Sequence, residues 1–421
     1  MKSISKFRNS IAHIFTCFIP NKLIRRILRT YILGEKDYLK AIGFSYGEIN
    51  NLLSINNEQI RFRIVQNELI KYENLNTKSL IVMIVPNGKE FMSGGIYSMF
   101  LIANYSKQLK NIHNSDVIIM TRLDKNGNTY CKQTNFKNDN IIYRFEQIIE
   151  YKNLENLIIH IPEESAAEFY SLLSNNLKEH LKKVKNIQIN ILDQNINLMP
   201  ESKDFKDLYK ITSNITQTVA HHRYCTQEFT NKYNIPSLLL VPYTDINNYQ
   251  PIPFEQKENR ILYSRDYCKY KKEIINTLSD KLGNKYVFQE INGISFDDYL
   301  ELTRNSKFMI TFGEGYDGYF AQSMLLGGVC FAVYNNEFFP KNFDFNKPNV
   351  FSSYEDMLNN IADRILCFDE MDTLERNGII NYFNDIQHKI SQKDIFIKSL
   401  ERFYKNDMDF YPQVANLINN D

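Results

Sequence analysis

Several residue types that mark particular protein classes are scarce in this sequence. Its 421 residues include no Trp and only six Cys, and the six lie far apart. No two cysteines have the close spacing of a zinc site or a redox pair, so the sequence predicts neither a metal centre nor a disulfide framework. The simple interpretation is free thiols in a reducing cytosol.

Charge of one sign is not in excess either. Lys and Arg number 50 against 49 Asp and Glu, which leaves a formal net charge of +1. A nucleic-acid-binding protein usually carries a wide basic surface, so we predict no nucleic-acid partner. Any basic surface must be local.

Near the N-terminus the sequence lacks an apolar run long enough to cross a membrane. The apolar stretch 11–19 is too short to span a bilayer, and no signal-peptide cleavage site follows it. Apolar residues in 1–33 recur at steps of three and four, with Lys and Arg off that stripe, which indicates two amphipathic helices. Such helices suit an anionic membrane surface, which we predict as a partner of residues 1–33. The alternative is an ordinary helical hairpin packed on the first domain.

The sequence is rich in short apolar runs that alternate with helical stretches. This alternation is typical of parallel sheets covered by helices on both faces, so the predicted fold class is α/β with two doubly wound domains. We predict a helical extension at 1–78, a first Rossmann-like domain at 79–250, a second at 251–400 and a helical tail at 401–421. The apolar runs are 80–85, 116–121, 157–161, 187–192, 216–220, 238–241, 260–264, 286–290, 308–312 and 329–333, and the main helical stretches are 96–109, 164–184, 271–282, 296–303 and 379–417.

The strongest motif follows the run 308–312, where a ligand of a doubly wound sheet is expected to bind. It reads TFGEGYDGYFAQ over residues 311–322. The glycines let the backbone approach a ligand closely, and the helix that begins near Tyr319 offers amide groups and a positive dipole end to a phosphate. Glu314 can accept hydrogen bonds from sugar hydroxyls, and Gln322 adds a polar group further along. The alternative is a plain strand, turn and helix without a ligand.

Cations follow another predicted strand. Arg265 comes directly after the run 260–264, and Lys269 and Lys271 lie a few residues later. Cations at such a position suit a phosphate group of a ligand. Both lysines remain candidates, and we favour Lys269 slightly.

The first half of the chain supplies weaker candidates. Gly94 and Gly95 lie between the first predicted strand and a helix. His160 lies near the end of the run 157–161, and His221 follows the run 216–220. For each histidine the alternative is a structural hydrogen bond.

In this order the motifs resemble the retaining GT-B glycosyltransferases of the group 1, family 4-like type. The stretch 311–322 is similar to the Glu-x(7)-Glu signature of that family. Glu314 matches the first acid, which contacts the donor sugar, and Gln322 falls on the second acid, which binds the ribose of the nucleotide. Arg265 matches the family's Gly-Arg, with Ser264 in place of the glycine.

The resemblance also covers the Gly-Gly loop at 94–95 and extends over residues 79–400. It implies two facing Rossmann-like domains, of which the first binds an acceptor and the second a nucleotide-sugar donor. It also implies transfer with retention of anomeric configuration, with no cofactor beyond the donor. The chain has no Asp-x-Asp after a strand, so we expect the arginine and the helix terminus to do the electrostatic work of a metal.

The amphipathic N-terminus adds an expectation about the acceptor and the location. We expect a peripheral enzyme on the cytoplasmic face of a bacterial plasma membrane, acting on a lipid-linked surface glycan such as O-antigen, capsule or lipooligosaccharide. One alternative is a nucleotide-sugar epimerase with the same fold, which needs carboxylates in the cleft for proton transfer. Another is a catalytically degenerate subunit that binds a glycan.

The predicted site can be stated residue by residue. We predict Glu314, Arg265 and His160 as catalytic residues, with no metal site. The predicted substrate-binding residues are Gly94, Gly95, Lys269, Lys271, Gly315, Tyr316, Asp317, Gly318, Tyr319, Gln322 and His221.

Overall fold

The fold is known from a computed structural model that describes residues 69–86, 93–122, 135–246, 248–340, 343–344 and 346–413. The amphipathic helices predicted in 1–33 lie outside the described residues, as do most of the extension at 1–78 and the end of the tail at 414–421. Within the described ranges, no helix is both long enough and apolar enough to span a membrane.

The first sheet has seven parallel strands in the order β3-β2-β1-β4-β5-β6-β7. Strand β1 is buried along almost its whole length, as expected for a parallel sheet with helices on both faces. Because the strand order reverses between β1 and β4, the point at which such sheets bind ligands lies there. The strands are β1 Ser79–Val85, β2 Asp116–Thr121, β3 Ile142–Arg144, β4 Asn156–Pro162, β5 Asn186–Asp193, β6 Ile215–Val219 and β7 Ser237–Leu239.

The second sheet has five parallel strands in the order β12-β11-β10-β8-β9. Here the order reverses between β8 and β10, so the ends of these two strands form the ligand-binding position of the sheet. The strands are β8 Glu258–Tyr263, β9 Val287–Glu290, β10 Ser306–Ile310, β11 Val329–Val333 and β12 Val350–Phe351.

The helices cover the sheets and connect their strands. We refer to the first sheet with the helices packed on it as the first lobe, and to the second sheet with its helices as the second lobe. The helices are α1 Gly94–Gln108, α2 Lys110–His113, α3 Phe169–Leu172, α4 Asn175–Leu181, α5 Gln227–Tyr233, α6 Lys271–Leu282, α7 Phe296–Asn305, α8 Gly318–Leu325, α9 Tyr354–Glu370, α10 Thr373–Ile390 and α11 Lys393–Tyr404.

The core of the second lobe is built largely from phenylalanine. Phe308, Phe320, Phe331, Phe339 and Phe383 belong to one cluster in which each ring is at most 1% exposed. Aromatic rings of this size fill the space between a sheet and its helices and dominate the apolar area that is buried. The chain therefore builds a rigid support for the β8 and β10 ends without any tryptophan.

Helix α11 returns to the first lobe after the second lobe is complete. Phe396 and Leu400 lie in the core of the first lobe, and Phe403 packs against Leu238 of β7. Tyr404 hydrogen-bonds Ser106 of α1, with 2.6 Å between the two hydroxyl oxygens. The two lobes are therefore connected twice, once between β7 and β8 and once between α10 and α11.

The predicted α/β class with two doubly wound sheets is confirmed, and most predicted strands are present within one or two residues. The predicted helix over 164–184 is instead two short helices, α3 and α4. Leu173 between them is extended, and the Ser174 hydroxyl caps α4 by accepting the Leu177 amide at 3.3 Å. The stretch 379–417, predicted as helical, contains the end of α10 and the whole of α11. The limits of the four predicted segments stay predictions.

Candidate functional site

Among the residues that the structure describes, several contacts join the carboxyl ends of the two sheets. Asn195, after β5, donates to the Glu314 carboxylate after β10, with 3.5 Å between Nδ2 and Oε1. Arg223 donates to the Phe339 carbonyl through Nη2 at 2.9 Å, and His221 Nε2 lies 3.2 Å from the Phe338 carbonyl oxygen. These contacts define a cleft between the strand ends, which is where doubly wound sheets hold ligands.

The turn that carries Glu314 depends on glycine. Gly315 has a φ of +89°, and a Cβ there would lie 2.6 Å from the Val333 carbonyl oxygen and 2.8 Å from the Phe339 ring. Only glycine tolerates both the conformation and the close approach. The half-buried Glu314 has a raised pKa because burial disfavours its charge, and the negative charge of Asp266 adds to this.

The start of α8 differs from the prediction of a phosphate-binding helix end. Asp317 caps this helix: its Oδ1 accepts the Phe320 amide at 2.9 Å, and its Oδ2 accepts the Thr311 hydroxyl. Burial raises the pKa of Asp317 to about 7, and Asp266 and Glu314 add to the rise. One amide of this helix end already serves Asp317, and two further carboxyl groups lie nearby, which disfavours a diphosphate here; the phosphate contact at this end stays a prediction.

The other residues predicted in this turn have different surroundings. The Tyr316 hydroxyl donates to Gln387 of α10 at 3.1 Å, and the Tyr316 ring packs in the aromatic core. Tyr316 therefore supports the turn from the side of the core. Tyr319 is half-buried against the Tyr299 ring, with 5.5 Å between centroids. Its pKa is raised to about 12, mainly by burial, and the charge of Arg265 opposes the rise. Gly318 is exposed beside the Gln322 side chain.

Both polar atoms of the Gln322 side-chain amide have hydrogen-bond partners. Its Oε1 accepts the Tyr299 hydroxyl at 2.8 Å, and its Nε2 donates to the Thr244 hydroxyl at 3.0 Å. The side chain is only 7% exposed. Gln322 thus joins α8 to α7 and to the connection between the lobes. Each end of its amide keeps a second hydrogen-bonding position, but the side chain is buried and already fixed by these two contacts, which disfavours the predicted contact with a nucleotide ribose.

Replacing Gln322 with alanine is therefore expected to affect stability rather than nucleotide binding. The substitution leaves the buried Tyr299 hydroxyl without its acceptor, which costs about 1–3 kcal/mol of unfolding free energy. Urea denaturation measures this loss, and the control Gln256→Ala removes an exposed side chain. Affinity for UDP should stay within about twofold of wild type, because no nucleotide contact is lost. A stable variant that no longer binds UDP would restore the ribose role.

The end of β8 carries the cations predicted from the sequence. Ser264 is buried, and its hydroxyl accepts the Phe312 amide at 2.9 Å, which joins the ends of β8 and β10. Lys271 donates to the Ser264 carbonyl at 2.7 Å and pairs with Glu290, with 2.7 Å between Nζ and Oε1. Lys271 therefore fixes the loop, and its charge is already balanced.

Arg265 and Lys269 remain accessible in this loop. Both side chains are exposed, and no hydrogen bond or ion pair joins either of them to another residue that the structure describes. Lys269 lies over the Tyr270 ring at 5.6 Å. Beside them is a cavity of about 410 Å³, and its lining is Tyr263, Arg265, Asp266, Tyr267, Cys268, Lys271, Lys272, Ile275, Asn276 and Glu290. Arg265 is thus a free cation at the rim of an open cavity.

The predicted glycine pair at the start of α1 has two different environments. A Cβ on Gly95 would lie 2.4 Å from Oε1 of Gln194, so the lack of a side chain makes room for the loop after β5. A Cβ on Gly94 would meet nothing within 4 Å. Ser93 caps α1 by accepting the Ile96 amide at 3.2 Å. Gly95 therefore lies against the end of the flexible Gln194 side chain, and Gly94 faces open space.

His160 lies in the interior of the first lobe. It is 1% exposed, and Nδ1 lies 3.1 Å from the amide nitrogen of Asn190. Nε2 lies 3.4 Å from the Tyr404 hydroxyl, and the ring packs on Phe403. Burial lowers its pKa to about 3, so the ring is neutral. Its neighbours are core residues and the returning α11, so the predicted catalytic histidine at the cleft is not where the structure places His160.

His221 lies closer to the cleft than His160 does, but its ring contacts other groups of the protein. Its ring packs on His222 with 4.5 Å between centroids, and Nε2 faces the Phe338 carbonyl already described. Burial lowers its pKa, and Arg223 lowers it further. A neutral ring that donates to this carbonyl helps to connect the lobes.

Three polar residues at the ends of β4 and β5, namely Glu163, Asp193 and Asn195, were not predicted from the sequence. Glu163 follows β4 and accepts the Asn195 amide at 3.0 Å, and burial raises its pKa to about 8. Asp193 ends β5, and both of its carboxyl oxygens are buried without a partner among the described residues. Burial raises the pKa of Asp193 to about 7. Each residue comes at the end of a strand that the sequence does predict, so the same strand-end rule identifies them.

Metal ligands are a separate matter. In the described part of the chain, no group of three or more His, Cys, Asp and Glu side chains is arranged to hold a metal ion.

Comparison with known proteins rests on structure alone. No protein-family model matches the sequence, and no curated protein matches it. A solved α-glucosyltransferase in complex with UDP-glucose and DNA containing an abasic site is 10% identical, with a TM-score of 0.50 over 77% of this chain and 99% of that chain.

Two further solved structures are less similar. HepE from Anabaena, in complex with UDP and glucose, is 9% identical, with a TM-score of 0.48 over 78% of this chain and 98% of its own. A UDP-N-acetylglucosamine 2-epimerase from Rickettsia bellii is 10% identical, with a TM-score of 0.40 over 77% and 99%. At such identities similarity shows the fold and not the reaction, and the fold of this chain is the GT-B arrangement of two facing Rossmann-like domains.

Proposed function

We propose that this protein is a glycosyltransferase that takes its sugar from a nucleotide-sugar donor. The observation that carries the proposal is that an unpaired cation and a carboxylate both lie where the strand order of the second sheet reverses. Arg265 follows β8 and Glu314 follows β10, and Asn195 of the first lobe faces Glu314 across the cleft. A carboxylate suits the hydroxyls of a sugar, and a guanidinium suits a diphosphate.

We assign to Arg265 the stabilisation of the leaving group. Breaking the bond between a sugar and a phosphate builds negative charge on the departing nucleoside diphosphate, and a preplaced cation stabilises that charge. Arg265 has no competing partner among the described residues, whereas Lys271 is paired with Glu290. With this cation in place, we propose a reaction without a metal. Lys269 is the second candidate for the diphosphate.

We assign the binding of the acceptor to the first lobe. We propose a growing, lipid-linked bacterial surface glycan, with transfer that retains the anomeric configuration. The basic amphipathic pattern of residues 1–33 supports a peripheral position on the cytoplasmic face of the plasma membrane, close to such an acceptor. Retention follows if the departing phosphate guides the acceptor hydroxyl to the face it has just left.

An epimerase is the second candidate, because the cleft contains the carboxyl groups that proton transfer needs. Burial raises the pKa of Glu163 to about 8 and also raises that of Glu314, and Asn195 contacts both side chains. A carboxyl group with a pKa near neutral, such as that of Glu163, is suited to moving protons. In this reading the nucleotide-sugar is the whole substrate and no acceptor is required.

One experiment separates the two candidates. Purified protein is offered UDP-glucose, UDP-N-acetylglucosamine and GDP-mannose, with and without bacterial membranes as a source of lipid-linked acceptor. UDP-glucose is included because the similar α-glucosyltransferase was solved with it. We expect nucleoside diphosphate to be released only when membranes are present, and NMR of the product gives the anomeric configuration. A changed sugar nucleotide without membranes favours the epimerase. A chain that binds none of the three contradicts the proposed function.

A further inference from the structure

The end of β5 and the residues after it form one of the segments of the first lobe that reach the second. This loop segment consists of Asp193, which ends β5, Gln194 and Asn195. Gln194 lies against Gly95, and its Nε2 is buried without a partner among the described residues. Asn195 is half-exposed and touches Glu314. This loop therefore brings polar groups of the first lobe to the carboxylate of the second.

Two hydrogen bonds fix Asn195, one through its backbone and one through its side-chain amide. Its backbone N–H donates to Glu163 at 3.0 Å. Its Oδ1 accepts the Asn197 amide at 3.0 Å and caps a short 3₁₀ turn. Because the oxygen is used in this way, Nδ2 is left to face Glu314. Glu163 is a positioning residue, since it acts on the cleft through Asn195.

The direct contact between the two side chains is weak, so a ligand hydroxyl placed beside them can replace it. At 3.5 Å, the Nδ2 to Oε1 distance is longer than the 2.7–3.2 Å of an ordinary N–H···O hydrogen bond. A sugar hydroxyl can donate its hydrogen to a carboxylate and accept a hydrogen from an amide at the same time. Asn195 and Glu314 supply that pair of partners, one from each lobe.

We propose that Asn195 is a residue of the donor-sugar site, and that it and Glu314 together hold one hydroxyl of the transferred sugar. The proposal rests on the proposed function, because it concerns the sugar of a nucleotide-sugar donor. According to this proposal, neither lobe alone forms a complete donor-sugar site. The nucleoside diphosphate part of the donor makes no use of Asn195.

The variant Asn195→Asp tests this role. It keeps the oxygen that caps the 3₁₀ turn, but it puts a second carboxylate against Glu314 in place of a donor. We expect affinity for the sugar nucleotide that wild type binds best among UDP-glucose, UDP-N-acetylglucosamine and GDP-mannose to fall about 10- to 100-fold. Affinity for the matching free diphosphate, UDP or GDP, should change less than about twofold. Calorimetric titration measures both.

The control Asn197→Asp adds the same charge two residues away on an exposed side chain, and it should leave both affinities unchanged. The double variant Asn195→Asp with Glu314→Gln removes the repulsion and should recover part of the affinity. The proposal is overturned if Asn195→Asp binds the sugar nucleotide as wild type does, or if sugar nucleotide and free diphosphate weaken equally. Failure of wild type to bind any nucleotide-sugar contradicts the proposed function instead.

Discussion

Replacing Arg265 with alanine is expected to lower the turnover number of sugar transfer about 100- to 1,000-fold. The guanidinium is exposed at the rim of the cavity beside β8 and has no hydrogen bond or ion pair to another described residue. Its charge is therefore available to the leaving diphosphate and is worth most in the transition state, when that charge is greatest. The loss should appear mainly in kcat, measured as release of nucleoside diphosphate with saturating donor.

One further variant separates charge from geometry at this position, and another is a control elsewhere. Arg265→Lys keeps a positive charge but loses the two-pronged contact, so its turnover should lie between those of wild type and Arg265→Ala. Lys281→Ala removes one positive charge at the far end of α6, where the side chain is exposed, and it should behave as wild type. A kcat for Arg265→Ala within about threefold of wild type would exclude Arg265 from the chemical step.

Replacing Asp193 with asparagine is expected to reduce the loss of stability that wild type shows as pH rises. In the folded protein, burial raises the pKa of Asp193 from 3.8 to about 7. The folded state therefore holds this proton more tightly than the unfolded state. The resulting stability is fully present below the unfolded pKa and is lost as pH rises through the folded one. Most of the loss falls between pH 4 and pH 7.

The size of this effect follows from the shift. A shift of about three pKa units corresponds to about 4 kcal/mol, of which about 2–3 kcal/mol falls between pH 5 and pH 8. The free energy of unfolding of Asp193→Asn, minus that of wild type, should rise by this amount over the same range, as measured by urea denaturation. Asp204→Asn changes an exposed carboxylate and should give a flat difference. A flat difference for Asp193→Asn as well would mean that Asp193 is ionised when folded.

The strands, and the positions of the two main candidate site residues, could be predicted because they depend on local sequence. A buried parallel strand needs an apolar run, and Glu314 and Arg265 lie after the ends of such strands, where doubly wound sheets bind ligands. Strands β3 and β12 are only two or three residues long, which is too short for any periodicity to show. They are held by their neighbours in the sheet rather than by their own pattern.

The partners of the predicted site residues could not be predicted in the same way. Gln322 is occupied by Tyr299 and Thr244, Lys271 by Glu290, and His160 by Asn190, and most of these partners are distant in sequence. Whether a polar side chain faces a cleft or completes the interior depends on such contacts. Asn195 is the opposite case. Its strand was predicted, but its importance appears only when Glu314 arrives from the other sheet.

The return of α11 to the first lobe has a consequence for how the chain is made. Phe396 and Leu400 complete the core around α1, although the ribosome adds them after every strand of both sheets. During translation, part of the apolar surface of the first lobe therefore stays uncovered until the second lobe has been synthesised. A fragment cut between the lobes would keep that surface exposed, so the first lobe should be expressed together with residues 393–404.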